Sequence, residues 1–152
     1  MLNARQAWID LEQLHELLEK EEEPQKFKYF WISAIVICRS IGSILDKVDK
    51  QEFPDKKSII TSQWREIQKD KSNNKIFHDF IKFERDALVH EYIDRKQWGD
   101  WLVTSDKRLL GVLSEGLFCP MEEGPYMGED CRDVMRVAIQ WWDKKIKEIE
   151  YA

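Results

Sequence analysis

The sequence predicts an all-α protein: an up-and-down four/five-helix bundle in one domain spanning residues 1–152, with an irregular Gly/Pro-rich excursion before the last helix. Three observations carry this. Apolar residues recur at three- and four-residue spacing over most of the chain, the period of a helix that buries one face. The segments between these runs are short and polar, apart from one. That one, residues 99–130, holds five of the six glycines together with Pro120 and Pro125, so helical periodicity fails there. With 152 residues, 43% hydrophobic and 12% aromatic, the chain can build one large core but has little material for a second.

The first helix is marked by Leu2, Ala7, Trp8, Leu11, Leu14, Leu17 and Leu18, and the charged run EKEEEP ends it. Pro24 starts the second. Its stripe of Phe27, Phe30, Trp31, Ala34, Ile35, Cys38, Ile41, Leu45 and Val48 is widened by Ile32, Val36, Ile37 and Ile44, as suits a central helix. Gly42 and Ser43 let a neighbour approach it closely. After the turn KQEFPDKK, Ser58 is expected to cap a shorter helix carrying Ile59, Ile60, Trp64 and Ile67, which KDKSNNK closes. A fourth helix is expected from Asn73 or Asn74 toward Trp98, carrying Ile76, Phe77, Phe80, Ile81, Phe83, Ala87, Leu88 and Ile93. Within the excursion, LLGVL and GLFCP suit a short hairpin or a loop equally. The last helix is expected from about Glu129, with Val134, Val137, Ala138, Trp141, Trp142, Ile146 and Ile149.

Composition excludes several function classes. The N-terminus is charged throughout and has no secretory signal. The longest apolar run, YFWISAIVIC, is too short for a bilayer and is bounded by Lys28 and Arg39, so it reads as a buried helix and the protein as soluble and cytoplasmic. A net charge of −5 argues against non-specific coating of nucleic acid, which draws affinity from neutralised phosphates, while leaving room for a small cationic site. Three cysteines without a CxxC pair imply neither a disulfide framework nor a structural zinc site; Cys38 reads as core, and Cys119 and Cys131 as unpaired thiols flanking the acidic loop of Glu122, Glu123, Glu129 and Asp130.

The chemistry concentrates in RDALVHEY, Arg85 to Tyr92. On an ideal helix Arg85 and Tyr92 fall nearly on one stripe with His78, Asp86 lies one turn before His90, and Arg85 and His90 point about 140° apart. One regular helix therefore cannot aim both at one small target: either it bends or ends near His90, or a second copy across a twofold axis completes the site. Arg85, His90 and Tyr92 reproduce the Arg, four residues, His, one residue, Tyr spacing of the HepT-type toxins, and the chain resembles the HEPN superfamily of small helical-bundle ribonucleases to which they belong. Asp86 fills a polar slot more usually held by asparagine. The resemblance covers residues 1 to about 98 and the last helix, and the full triplet arises by chance in under about one chain in a hundred.

That resemblance implies metal-independent cleavage of RNA by a homodimer, without cofactor, within a toxin-antitoxin or defence system. Arg85 would stabilise charge on the phosphate and His90 would move the proton, as their chemistry allows. Asp86 would orient or charge the imidazole, and Tyr92 would stack on a base, bond a phosphate, or be where a partner nucleotidyltransferase antitoxin attaches nucleotide. The competing reading is a catalytically silent HEPN-like bundle that binds a protein or a nucleotide.

Other residues are weaker candidates. Arg39, in the most apolar helix, is expected to pair with a carboxylate such as Glu84, or else to line the cleft beside Arg85. Glu12 and His15 form an ExxH that lacks the second copy a di-iron bundle needs. Asp86 and His90 with His78 or Asp79 do not make a defined metal cage, and no metal is expected. Trp98, Trp101, Trp141 and Trp142 suit a core or a dimer interface better than a base-stacking platform.

Overall fold

The computed structural model describes residues 1–92, 101–105, 108–113 and 118–152, with the side chains of 101–105 and 109–113 outside the description. Five helices form one bundle. α1 (Asn3–Lys20) buries Ala4, Leu11, His15 and Leu18 and packs on α2 (Pro24–Ile44), which begins with proline at its first turn, where no backbone N–H is needed. Only residues 21–23 separate the two, so they pack as antiparallel neighbours. α2 runs on through a π-helical segment, Leu45–Asp49, and a last turn, Lys50–Glu52.

This π turn has a structural task. Leu2, at the head of α1, offers no side-chain cap, and the first turn of α1 has no acidic residue. The fully buried Asp49 supplies the cap from a distance: its carboxylate accepts from the Asn3 N–H at 2.8 Å, the Ala4 N–H at 2.9 Å and the Asn3 side-chain amide at 2.9 Å.

After a 3₁₀ turn, Pro54–Lys56, α3 (Lys57–Lys69) presents Ile60, Gln63 and Ile67 to the core. Ser58 does not cap it. The helix already starts at Lys57, after Lys56 in a helical conformation, so Ser58 lies inside the first turn, exposed. The fourth helical run opens as a π-helix, Ile76–Lys82, and becomes regular in α4 (Phe83–Glu91). α4 stops there, short of the expected extension toward Trp98: Tyr92 turns left-handed at φ 54°, ψ 35°, its N–H donating to the Ala87 carbonyl. Residues 93–98 lie outside the described residues.

The excursion contains an antiparallel hairpin of β1 (Trp101–Ser105) and β2 (Arg108–Leu113), with a register shift between Val103 and Thr104. LLGVL is thus a strand, but its partner is WLVTS rather than GLFCP. WLVTS carries the β-branched Val103 and Thr104, and two residues separate it from β2, the commonest hairpin spacing. The part of GLFCP that is described goes elsewhere: Cys119 is buried in the bundle, as is Met121 just after it, and Pro120 bridges Asp130. The chain turns back through Gly128, whose φ of 88° suits glycine, and whose N–H donates to the Met121 carbonyl at 2.9 Å.

α5 (Cys131–Glu150) closes the bundle and buries Val134, Met135, Ala138, Trp142, Ile146 and Ile149. Its cap is Asp130, expected to be solvated as part of an acidic loop but only 10% exposed at its side chain. The two carboxylate oxygens accept from the Cys119 N–H and the Arg132 N–H, Nε and Nη2, each at 2.9 Å. Burial alone would raise the Asp130 pKa; the bonds from Arg132 and Cys119 and the Arg132 charge bring it below the usual carboxylate value.

The core gathers Phe27, Trp31, Phe77, Phe80 and Trp142. At Gly42, α2 lies close against side chains of α3 and α5: a β-carbon there would sit 2.4 Å from Trp64 Cζ3 and 3.1 Å from Trp142 Cη2. The continuous helix Pro24–Glu52 is long and apolar enough to cross a membrane, but Phe27, Trp31, Ala34, Ile35, Cys38 and Ile41 are fully buried in the bundle. Cys38 belongs to this core, where burial pushes its thiol up to about 12.

Candidate functional site

The motif residues occupy the last two turns of α4. This helix is held from within by Glu84, Ala87 and Leu88, all buried, so Arg85, Asp86, Val89 and His90 face outward. Arg85 donates from Nη1 to Asp86 Oδ1 at 2.9 Å, with the two side chains 38% and 39% exposed. His90 is exposed and makes no hydrogen bond among the described residues. It lines a concavity of about 200 Å³ with Phe83, Asp86, Ala87 and Glu91.

Asp86 therefore stands between the two groups, but in a different role from the one expected. It holds the guanidinium and leaves the imidazole to water: no hydrogen bond joins it to His90 among the described residues. Because α4 is a regular helix from Phe83 to Glu91, Arg85 and His90 keep their divergence of about 140°. Arg85 is not a wall of the concavity that His90 lines.

His78 leaves the predicted stripe for a physical reason. The π-helix between it and Arg85 takes more residues per turn, so the 100° step fails there. Its Nε2–H donates instead to the Ile67 carbonyl at 2.7 Å, tying the new helix to the end of α3, and its ring stands edge-on to Phe77. His15 of the ExxH is likewise engaged, 2.8 Å from the Arg132 carbonyl and 8% exposed. Among the described residues no group of three or more His, Cys, Asp or Glu could hold a metal ion.

Tyr92 is the only non-glycine residue at positive φ among those described, a conformation that costs a bulky side chain roughly 1–2 kcal/mol. Its ring is 68% exposed, with the Lys28 ammonium 5.0 Å from the ring centroid. Lys28 was not legible as a site residue: it lies 64 positions away in sequence and only the packing of α2 on α4 brings it here.

Arg39 does not pair with Glu84. Glu84 is buried, but no hydrogen bond or ion pair joins it to Arg39. The Arg39 guanidinium lies 5.3 Å from the Phe77 ring and 5.9 Å from Trp64, with Nε and Nη1 buried and without hydrogen-bond partners. Burial lowers its pKa, the neighbouring Arg85 charge lowers it further, and Asp86 opposes both. The Arg39 charge is thus coupled to that of Arg85, while Arg39 is not among the residues that line the concavity at His90.

Of the four tryptophans considered, Trp142 is core and Trp141 is half-buried, stacked on Phe77 at 5.9 Å. Trp98 and the ring of Trp101 lie outside the described residues. No disulfide joins Cys119 to Cys131, although the Cys131 N–H donates to the Cys119 carbonyl at 2.9 Å. Comparison of the chain with known protein families, characterised proteins and solved structures finds no match.

Proposed function

We propose that this chain is a metal-independent endoribonuclease of the HEPN type, acting in the cytoplasm as a homodimer, with the toxin half of a toxin-antitoxin or defence system as its setting. One observation carries the reading: the helix bearing Arg85, His90 and Tyr92 stops one residue after His90, leaving an exposed imidazole on the same short helix as a guanidinium held by Asp86.

The chemistry follows from these groups. A neutral His90 takes the proton of a ribose 2′-hydroxyl, whose oxygen attacks the adjacent phosphorus. The new O2′–P bond forms as the P–O5′ bond breaks, and the departing 5′ oxygen receives a proton. Arg85 stabilises the negative charge that builds on the non-bridging oxygens, its planar fork matching two of them. Products are a 2′,3′-cyclic phosphate and a 5′-hydroxyl.

The divergence of Arg85 and His90 on one helix supports a site completed by a second copy. Exposed apolar residues around the motif support the same dimer: Val89 is 54% exposed, Phe83 39%, and Tyr29 and Val36 of the adjoining α2 57% and 43%. Tyr92, exposed at the end of α4, suits modification by a nucleotidyltransferase partner. The net charge of −5 favours a second reading, a silent bundle that binds a protein or a nucleotide.

Incubation with unstructured RNA in excess chelator separates the two. Cutting that leaves cyclic phosphate ends, and that Arg85→Ala and His90→Ala each slow by about 100-fold or more, supports the ribonuclease. No cutting, or cutting that survives both substitutions, rejects it.

A further inference from the structure

We propose that Arg39 is a second phosphate-binding guanidinium of this site, swinging from its aromatic slot to share an oxyanion with Arg85. The identity of the substrate rests on the ribonuclease reading; the anion site does not.

A guanidinium in a bundle normally finds a carboxylate or backbone carbonyls, because it carries five N–H donors and cannot shed its charge. Arg39 has found neither. Its Nε and Nη1 are buried without partners, and what touches its plane is the faces of Phe77 and Trp64, which attract the cation but leave those N–H groups unbonded. The Asp86 charge acts on it favourably but already bonds Arg85. Two guanidinium groups, on α2 and α4, thus act on each other's charge, the one on α2 half-buried and without a hydrogen-bonded acceptor.

The slot itself is specifically built. Gly42, three residues after Arg39, lets the Trp64 ring lie against α2 beneath the guanidinium. A side chain that makes no hydrogen bond in its resting place loses none on leaving it. An anion with two or more non-bridging oxygens, a phosphodiester or a free phosphate, supplies acceptors to both cations and relieves their repulsion.

The test uses the full chain and an RNA oligonucleotide whose 2′ positions are all methylated, so that it binds without being cut. Affinity is measured over a salt series for wild type, Arg39→Met and Arg39→Lys, with melting temperatures and binding of inorganic phosphate alongside. Arg39→Met is expected to weaken RNA binding at least about fivefold and to make the salt slope shallower by about 0.7, the contribution of one phosphate on a single strand. Arg39→Lys keeps the slope. Arg39→Met should also melt no lower than wild type, since methionine fills the slot without unpaired donors. A merely structural arginine predicts the reverse, a lower melting temperature with affinity and slope intact, and that result overturns the proposal. Should wild type ignore RNA yet bind phosphate in an Arg39-dependent way, the ribonuclease reading falls and the anion site stands. Binding of neither ligand, or binding indifferent to Arg39, overturns the anion site.

Discussion

Replacing Asp130 by asparagine changes almost no volume and removes one acceptor from a buried cluster of four hydrogen bonds. Whichever way the new amide turns, its NH₂ faces two donors: either the Arg132 N–H and Nε, or the Cys119 N–H and Arg132 Nη2. Each orientation loses one backbone bond, worth about 1 kcal/mol, and one charge-assisted bond, worth about 1.5–3 kcal/mol. The sum, about 3 kcal/mol, agrees with the roughly 3–5 kcal/mol for breaking a buried ion pair, as expected for side chains only 8% and 10% exposed. In a chain of this size that lowers the melting temperature by about 6–12 °C. Urea unfolding followed by tryptophan fluorescence reads the difference directly. The pH dependence gives an internal check. The folded Asp130 has a pKa below its unfolded value, because the bonds from Arg132 and Cys119 outweigh burial, so its contribution is complete above about pH 4 and is lost as pH falls through the lower, folded value. The gap between wild type and Asp130→Asn should be flat from neutrality down to about pH 5 and close in stronger acid. A loss below about 1 kcal/mol at pH 7, or a gap that persists unchanged in acid, refutes the account of the cap.

Asp49→Asn should cost about 1–3 kcal/mol and loosen the head of α1 first, seen as faster amide hydrogen exchange at Ala4 and Arg5 than deeper in the helix; uniform exchange along α1 contradicts the remote cap. Gly42→Ala gains about 1 kcal/mol of helix propensity but drives a β-carbon to 2.4 Å from Trp64, an overpacking cost of about 1–3 kcal/mol, so a net loss of about 1 kcal/mol is expected in thermal unfolding. A stabilised Gly42→Ala protein would show that Trp64 does not need its present seat.

Much of the bundle was legible because its signal is periodic. α1, α2 and α5 each bury a stripe that repeats every three or four residues, and Pro24 punctuates the second. The misses share a cause, which is that the deciding partner is remote. Ser58 has the chemistry of a cap, but the preceding 3₁₀ turn had already begun the helix. Asp49 and Asp130 look like surface acids until the backbone amides they serve, 46 and 11 residues away, are brought to them. WLVTS became a strand because a second strand lies two residues beyond it. At the site, Arg85, His90 and Tyr92 fall at the end of α4, a helix whose periodicity had pointed on toward Trp98. The roles of Asp86 and Arg39 were not legible: one depended on a rotamer that reaches its sequence neighbour, the other on the aromatic rings of Phe77 and Trp64 that packing brings over it.

The π-helical approach to the motif gives this protein one place where its length can change without turning the site. A segment that spaces its bonds five residues apart, Ile76–Lys82, accommodates one residue more than an α-helix of the same rise. Deleting a single residue there lets the backbone relax into ordinary α geometry while the residues of α4 keep nearly the same facing. Deleting Val89 instead, inside the regular helix, turns His90 by about 100°, so where a residue is lost, more than how many are lost, separates a folded chain from a working one.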